Sequence, residues 1–566
     1  MKTTPTEVIA ASYSLKLSKT EIAVFIAGEK VAALHTLTAL NTTNDDNESF
    51  SYDIEDIESV VFRQANENTY CWSTTSSLWK DKVYTLKCFE NRFEYAVTVR
   101  GIGRIDTVEY FSSYRSPEDK WRSIHEFCEG FYPDIDLGAE DGTYHPETSR
   151  DIYWCLSVPP MFYHSYRVAG ISTHLAFGVV AEMGEHNFTN LAYNASEGRF
   201  NFSTDQYGHV TVDGEWTTPK MVVYTAEDHY DAGEKYCSFY FDGGICPRGG
   251  TPERPRFWYG PIACGWIEQD AWAAREPGRN IFNGSNETVY REMRDKLERL
   301  DLHPQIMILD DKWQTTYGNP YAHPDRWPDL RGFIDENYER GIHTFLWYKL
   351  WDDDGLPEEC KIADELGNSY VELPRTIVDP SHPTYKEILK KTIHRLLSSD
   401  EGCYNAAGFK FDFGFLQPRG RKVKTYSGKY GAELLFDYFK MLHTYVKEVK
   451  PDAVVNASPM HPIFAQFVDH ARLHDYDARC RNAKEVFAHR ARLWGMANPT
   501  SLIDTDGGGF NTNRDMIRML KNQPNIGIPD IYCVSKLGNF CLTDDEWKTV
   551  ADLWREYGEK CDNLCK

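Results

Sequence analysis

A large β-sandwich followed by a (β/α)8 TIM barrel is the architecture this sequence predicts, and three observations carry it. From residue 1 to about 250, short apolar/polar alternations are broken by turn pairs such as Asp213-Gly214 and Asp242-Gly243, the pattern of hairpins. Cys246 to Arg256 is then rich in Pro and Gly and reads as a linker. Beyond it, strand-like runs alternate with helical periodicities over about 300 residues, the size of a barrel of eight strands. The expected domains are therefore a sandwich over 1–250 and a barrel over 251–566. A doubly wound open sheet also alternates strands and helices, but no Gly-rich phosphate fingerprint follows any strand here.

Bulk properties narrow the function. The 566 residues are enough for two full cores, and 41% apolar with 26% charged residues is a globular balance. A net charge of −23 repels phosphate backbones, so no nucleic-acid partner is expected. No apolar run approaches the ~20 residues a membrane span needs. Met1 to Ser18 lacks the apolar centre of a signal peptide, so a cytoplasmic protein is expected. The 14 cysteines form no CxxC pair, so they are expected to be mostly free thiols, with no zinc site and no cofactor.

In the first half, residues 21–27, 93–99, 174–181 and 209–212 read as strands, and one helical patch is expected at 116–127. In the second half, strands are expected at 257–266, 305–309, 344–348, 409–413, 453–456, 470–473, 501–504 and 526–534. Helical spacing places helices at 287–300, 330–339, 383–398, 431–449, 483–493 and 544–557. The link between the fifth and sixth strands carries little helix signal.

In such a barrel the active site lies where strands end and βα loops begin. Trp266 closes the expected first strand, and Asp310-Asp311-Lys312-Trp313 follow the second. Trp347 lies in the third, which runs on to Asp352-Asp353-Asp354. Lys410 and Asp412 share a face of the fourth at i, i+2. Arg472, His474, Asp475 and Asp477 close the sixth, and Asp504 and Asp506 the seventh. Each has a plain structural alternative: an ion pair, a cap, a core indole or a turn. Together they ring one mouth with carboxylates and tryptophans, a composition that suits sugars: indoles stack on ring faces, carboxylates bond hydroxyls, and two carboxyls can do glycoside chemistry. A Mg²⁺ or Ca²⁺ site is the competitor, but no EF-hand-like spacing occurs, and Lys410 beside Asp412 opposes a cation, so no metal is expected.

These motifs resemble those of clan D glycoside hydrolases, in particular the α-galactosidases of glycoside hydrolase family 36. Ile308-Leu309-Asp310-Asp311-Lys312-Trp313-Gln314 is similar to that family's second-strand D-D-G-W motif, and Phe409-Lys410-Phe411-Asp412 to its K-x-D nucleophile motif. Arg472-Leu473-His474-Asp475 stands where the family carries its acid/base Asp. The resemblance implies a retaining α-glycosidase acting on an oligosaccharide or glycoside, with Asp412 as nucleophile and Asp475 as acid/base. Asp310, Asp311, Trp313, Lys410, Trp266, Trp347 and Arg472 would bind substrate. Asp477 is the alternative acid; Asp475, nearer the strand end, is preferred. The sixth-strand motif departs from the family's S-D-x-T-D, and the fifth strand ends Asn456-Ala457-Ser458-Pro459-Met460 rather than in a Cys- and Gly-rich loop. Those departures keep open an α-glucosidase of family 31, a transglycosylase resembling raffinose synthases, and a carbohydrate-binding protein without catalysis.

Overall fold

A computed structural model describes residues 6–44, 49–125, 127–129, 158–196, 198–249, 253–365, 375–474, 483–507, 513–537 and 541–564. The first half is an antiparallel β-sandwich built on two 19-residue strands, Arg92–Tyr110 and Arg199–Thr217, that pair with each other. Phe93, Tyr95, Val97 and Val99 are all buried, so the alternation seen in the sequence is the face turned to the core. The register shifts between Ile105 and Thr107, a bulge that bends the ribbon.

Two expectations for this half are corrected. The helical patch at 116–127 is instead a hairpin, Ser112–Ser116 against Asp119–His125. Pairing decided it: Ser123 is buried where its Oγ donates to the Phe111 carbonyl at 2.9 Å and accepts from the His35 amide at 2.9 Å. Conversely, a helix, His229–Phe241, lies in the stretch read as all-β. Asp228 caps it by accepting from the amides of Tyr230 and Asp231, both at 2.8 Å. Ala232, Tyr236 and Tyr240 line its buried face at helical spacing.

The second half is a parallel eight-stranded ring: Ile262–Cys264, Ile306–Leu309, His343–Lys349, Gly408–Asp412, Val454–Ala457, His470–Arg472, Leu502–Asp504 and Asp530–Ile531. A parallel bridge from Asp504 to Ile528 closes it, with the Ile528 amide donating to the Ile503 carbonyl at 2.7 Å. The first strand stops at Cys264, and Trp266 opens a helix, Trp266–Ala273, that the sequence did not indicate. Gly265 lies between them because a Cβ there would fall 2.1 Å from the Tyr290 ring. Between strands seven and eight a helix, Asn513–Ile526, was also not expected. Strands five and six are joined, among the described residues, by a single 3₁₀ turn, Pro462–Phe464, in line with the weak helix signal.

The two halves are locked together. The carboxylate of Asp106 takes two hydrogen bonds from Arg421, at 2.5 and 2.9 Å. His209 bonds the Gly420 carbonyl at 2.8 Å and stacks on Tyr430 with centroids 3.9 Å apart. Glu433, in helix Gly431–Val449, accepts from the Gly184 amide at 3.0 Å. The loop that follows Asp412 is thus held from outside the barrel. Among the described residues no helix is long and apolar enough to cross a membrane, and ten cysteines, from Cys71 to Cys561, are free thiols.

Candidate active site

The fourth strand brings Lys410 and Asp412 to the barrel axis, and they take different partners. Lys410 is buried and donates to Asp310 Oδ2 at 2.8 Å and to the Tyr532 hydroxyl at 3.0 Å. Burial alone would push its ammonium down; Asp310 more than offsets this and holds it well above the usual range. Asp310 itself is fixed by its backbone, whose amide donates to Tyr290 Oη at 2.8 Å, and by the Cys264 thiol 3.0 Å from Oδ2. Lys410 and Asp310 therefore form a buried pair under the mouth.

Asp412 sits higher and keeps 18% of its side chain exposed. Oδ1 accepts from Arg472 Nη2 at 2.6 Å and from the Phe413 amide at 2.8 Å. Oδ2 accepts from Trp347 Nε1 at 3.1 Å. Burial would raise this carboxyl, but Arg472, then Lys410, outweigh it and hold it well below the usual carboxylate range. It is an anion with fixed orientation and an accessible edge, which is what a carboxylate nucleophile requires.

Arg472 spans the mouth, its Nη1 donating to Asp506 Oδ2 at 2.9 Å. Asp506 is buried, yet Arg472 and Lys410 keep it low; Asp504 and Asp530, buried beside it, are pushed up. Asn456 Nδ2 donates to Asp504 Oδ2 at 2.6 Å. Burial and neighbouring carboxylates thus disfavour the ionised forms of Asp504 and Asp530, while the two cations favour that of Asp506. Among the described residues, no group of three or more His, Cys, Asp or Glu is arranged to hold a metal ion.

On the other side, Asp311 accepts from the Tyr317 hydroxyl at 3.3 Å, while its Oδ1 is buried with no hydrogen-bond partner. Burial, then Asp310, raise its carboxyl to about 6. The Tyr317 ring carries the Lys312 ammonium 3.9 Å and the Lys349 ammonium 4.5 Å from its centroid, and it lies 5.8 Å from the Trp347 ring. Trp266 is half-buried 6.1 Å from Phe282, on whose ring Lys312 also rests.

The structure sorts the residues singled out in the sequence. Asp412, Arg472 and Trp347 meet directly, Lys410 pairs with Asp310, and Asp311 stands beside Tyr317 with a buried, unpartnered Oδ1. Trp313 departs from its expected role: it is fully buried, its Nε1 donating to the Trp347 carbonyl at 2.8 Å, so it backs the wall rather than forming its surface. Trp266 reaches the rim from a helix, not from a strand end. Asp475 and its alternative Asp477 lie outside the described residues.

One signal was not legible. Five non-glycine residues with left-handed backbone stand one to three positions past the ends of barrel strands: Lys312, Trp351, Phe413, His474 and Asp506, with φ of 73°, 66°, 61°, 67° and 49°. Such conformations are costly for these residues and cluster where loops must aim side chains. The sequence pattern puts Tyr532 within the last strand without a role, and Asp506 at a strand end without a partner. Alternation from Asp530 puts Tyr532 on the same face, which is the signal that could have found it.

Comparison with known proteins gives the fold. No family model matches the chain, and no curated protein matches it. Among solved structures, a GH31 family sulfoquinovosidase from E. rectale, in complex with an aza-sugar inhibitor, is similar over 99% of this chain and 84% of its own, with TM-score 0.56 and 14% identity. An uncharacterized Listeria monocytogenes protein, in complex with α-D-glucose, β-D-glucose, magnesium and calcium, is similar over 99% of this chain with TM-score 0.52 and 13% identity. This chain spans about half, 55%, of that protein. Likeness at these identities shows a shared sandwich-and-barrel fold.

Proposed function

We propose that the protein is a retaining α-glycosidase, with α-galactosides as its first candidate substrates. The observation that carries the reading is Asp412: an ionised, oriented, partly accessible carboxylate at the end of strand four. Its free edge attacks the anomeric carbon as the glycosidic C–O bond breaks, and an acid delivers a proton to the departing oxygen. Asp475 is the acid in this reading, three positions past Arg472. Water then attacks the glycosyl-enzyme, Asp475 takes its proton, and the sugar leaves with its configuration retained. Arg472 and Trp347 keep the nucleophile charged and aimed. Asp311, with its unused Oδ1, is placed to bond sugar hydroxyls.

A second reading, hydrolysis of α-glucosides or of sulfoquinovosides, draws support from the fold likeness to a GH31 sulfoquinovosidase. It also draws on Asp310, which is committed to Lys410 instead of standing open beside Asp311. A panel of aryl α-galactoside, α-glucoside, N-acetyl-α-galactosaminide and α-sulfoquinovoside separates these. Product followed by NMR should appear first as the α-anomer, and a fluorosugar should trap mass on Asp412. First appearance of the β-anomer would mean inversion and remove the nucleophile role. Turnover of none of the panel by the wild-type chain would remove the enzyme reading.

A further inference from the structure

His474 has no part in the chemistry described so far, yet its placement is unusual. It stands two residues beyond Arg472, the last residue of strand six, with φ +67°, a conformation non-glycine residues seldom adopt. Arg490 Nη1 holds the turn by donating to the Leu473 and His474 carbonyls, at 3.0 and 3.1 Å. The backbone is therefore fixed in a strained form that carries the imidazole to its position. That side chain belongs to a residue only 4% exposed, and its Nε2 is buried without a hydrogen-bond partner. Other buried atoms here are likewise unpartnered, Asp53 Oδ1 and Trp327 Nε1 among them, so it is the place of this one, two residues past the end of the strand that carries Arg472, that sets it apart.

The surroundings say what could use it. His474 interacts electrostatically with Asp412, Asp506, Arg472 and Arg490. Lys410 spends its ammonium on Asp310 and Tyr532 in the floor, Trp347 spends its Nε1 on Asp412, and Asp412 keeps its exposed edge for the nucleophilic role. Burial, then Arg472, depress the imidazole well below its usual range against the pull of Asp412 and Asp506, so it is neutral. A neutral imidazole nitrogen either donates or accepts one hydrogen bond, according to tautomer, and a hydroxyl can answer both.

We propose that His474 is a substrate-binding residue whose Nε2 takes a hydrogen bond with one hydroxyl of the sugar ring held against Asp412. This rests on the reading of Asp412 as nucleophile and adds a contact on the sixth-strand side, where the motif departs from the family it resembles. In the ring of eight, strand six lies opposite strand two, which carries Asp311. The two buried unpartnered atoms then grip one pyranose from opposite sides.

The test uses the full chain, as wild type, His474→Phe and His474→Gln, on the best aryl glycoside of the panel and its monodeoxy analogues. His474→Phe should lower kcat/KM by about a hundredfold, with His474→Gln recovering part of it. For one deoxy analogue the wild type should lose a similar factor and His474→Phe should lose nothing further. Retention of kcat/KM within threefold in His474→Phe would overturn the proposal, as would losses that multiply for every analogue. If His474→Phe does not fold, His474→Gln takes its place in the deoxy comparison: non-multiplying losses for one analogue support the contact, and multiplying losses for all of them overturn it. Asp412→Asn run alongside keeps the two ideas apart: full activity there removes the nucleophile, whatever His474 does.

Discussion

Among the described residues two lysines are buried, one in each half, and only one lies in the candidate site. Lys82, in the sandwich, is fully buried and donates to Asp53 Oδ2 and Glu55 Oε1, both at 2.5 Å, and to the Thr38 carbonyl at 2.8 Å. Lys410, in the barrel, has Asp310 and Tyr532. By charge and burial the two clusters are alike. Their settings differ. None of Thr38, Asp53, Glu55, Lys82 or Tyr84 has left-handed backbone, and the cluster is closed to solvent on all sides. Both clusters keep unpartnered buried atoms, on Asp53 and Glu55 in the sandwich and on Asp311 and His474 in the barrel, but around Lys410 the backbone is left-handed at five strand ends and Asp412 stays partly exposed. A buried ion pair marks structure as readily as function; left-handed backbone with an accessible carboxylate marks the candidate site.

The contrast can be broken most sharply at Asp412. Asp412→Asn should lower the hydrolysis rate by a factor on the order of 10⁴, while Arg472 keeps Asp506 as partner and the fold survives. Steady-state rates and a thermal melt on the same sample check both halves. Next come the lysines themselves. Lys82→Met should cost about 3–5 kcal/mol of stability by stranding Asp53 and Glu55, with kcat/KM of the folded fraction unchanged. Lys410→Met should cost a similar amount and also lower kcat/KM. Denaturant titration paired with kinetics tells them apart, and equal kinetic effects would erase the distinction between the two lysines.

Arg472 tests the electrostatic side of the contrast. Asp412 is held below its unfolded pKa, so its contribution to stability is complete above about pH 4 and is lost as pH falls through the lower folded value. In wild type its protonation should set no limb of the pH–rate profile near neutrality. In Arg472→Met the carboxyl rises, and the acid limb of kcat/KM should move to higher pH. A profile that keeps its wild-type shape would mean Arg472 is not what holds the charge.

The smallest effect on stability is expected at Asp311. Its folded pKa, about 6, lies above the unfolded value. Its contribution is therefore fully present below about pH 4 and is lost as pH rises through 6. Asp311→Asn should add about 1–3 kcal/mol of stability above that range and lower kcat/KM severely. Gain of stability with loss of activity would place Asp311 with the strained group rather than with Lys82.

Much of the barrel was legible because its signals are local. Apolar runs gave the second to seventh strands to within one residue, while the first and eighth are only short cores, Ile262–Cys264 and Asp530–Ile531, of the expected 257–266 and 526–534; helices Leu330–Glu339 and Gly431–Val449 match the expected ranges residue for residue. The K-x-D spacing put Lys410 and Asp412 on one face, as found. What failed depended on contacts distant in sequence. Ser123 became strand because His35 and Phe111 needed its hydroxyl. Trp313 went inward because the Trp347 carbonyl takes its N–H. The left-handed turns at Trp351, Phe413 and His474 left no trace, since no glycine announces them. The acid is still a matter of spacing from Arg472, with Asp475 outside the described residues.

The Pro- and Gly-rich linker suggests two modules that could be separated, but the handshake of Asp106, His209 and Glu433 with Arg421, Tyr430 and Gly184 crosses between them. Helix His229–Phe241 adds to it, with Tyr230 bonding His489 at 2.8 Å and Tyr236 bonding His461 at 3.0 Å. The two halves should therefore melt as one cooperative unit, giving a single calorimetric transition. A barrel expressed alone would leave the loop after Asp412 without its outer anchor. Grafting this mouth onto another barrel would have to carry the sandwich with it: the smallest transplantable unit here is the pair, not the barrel.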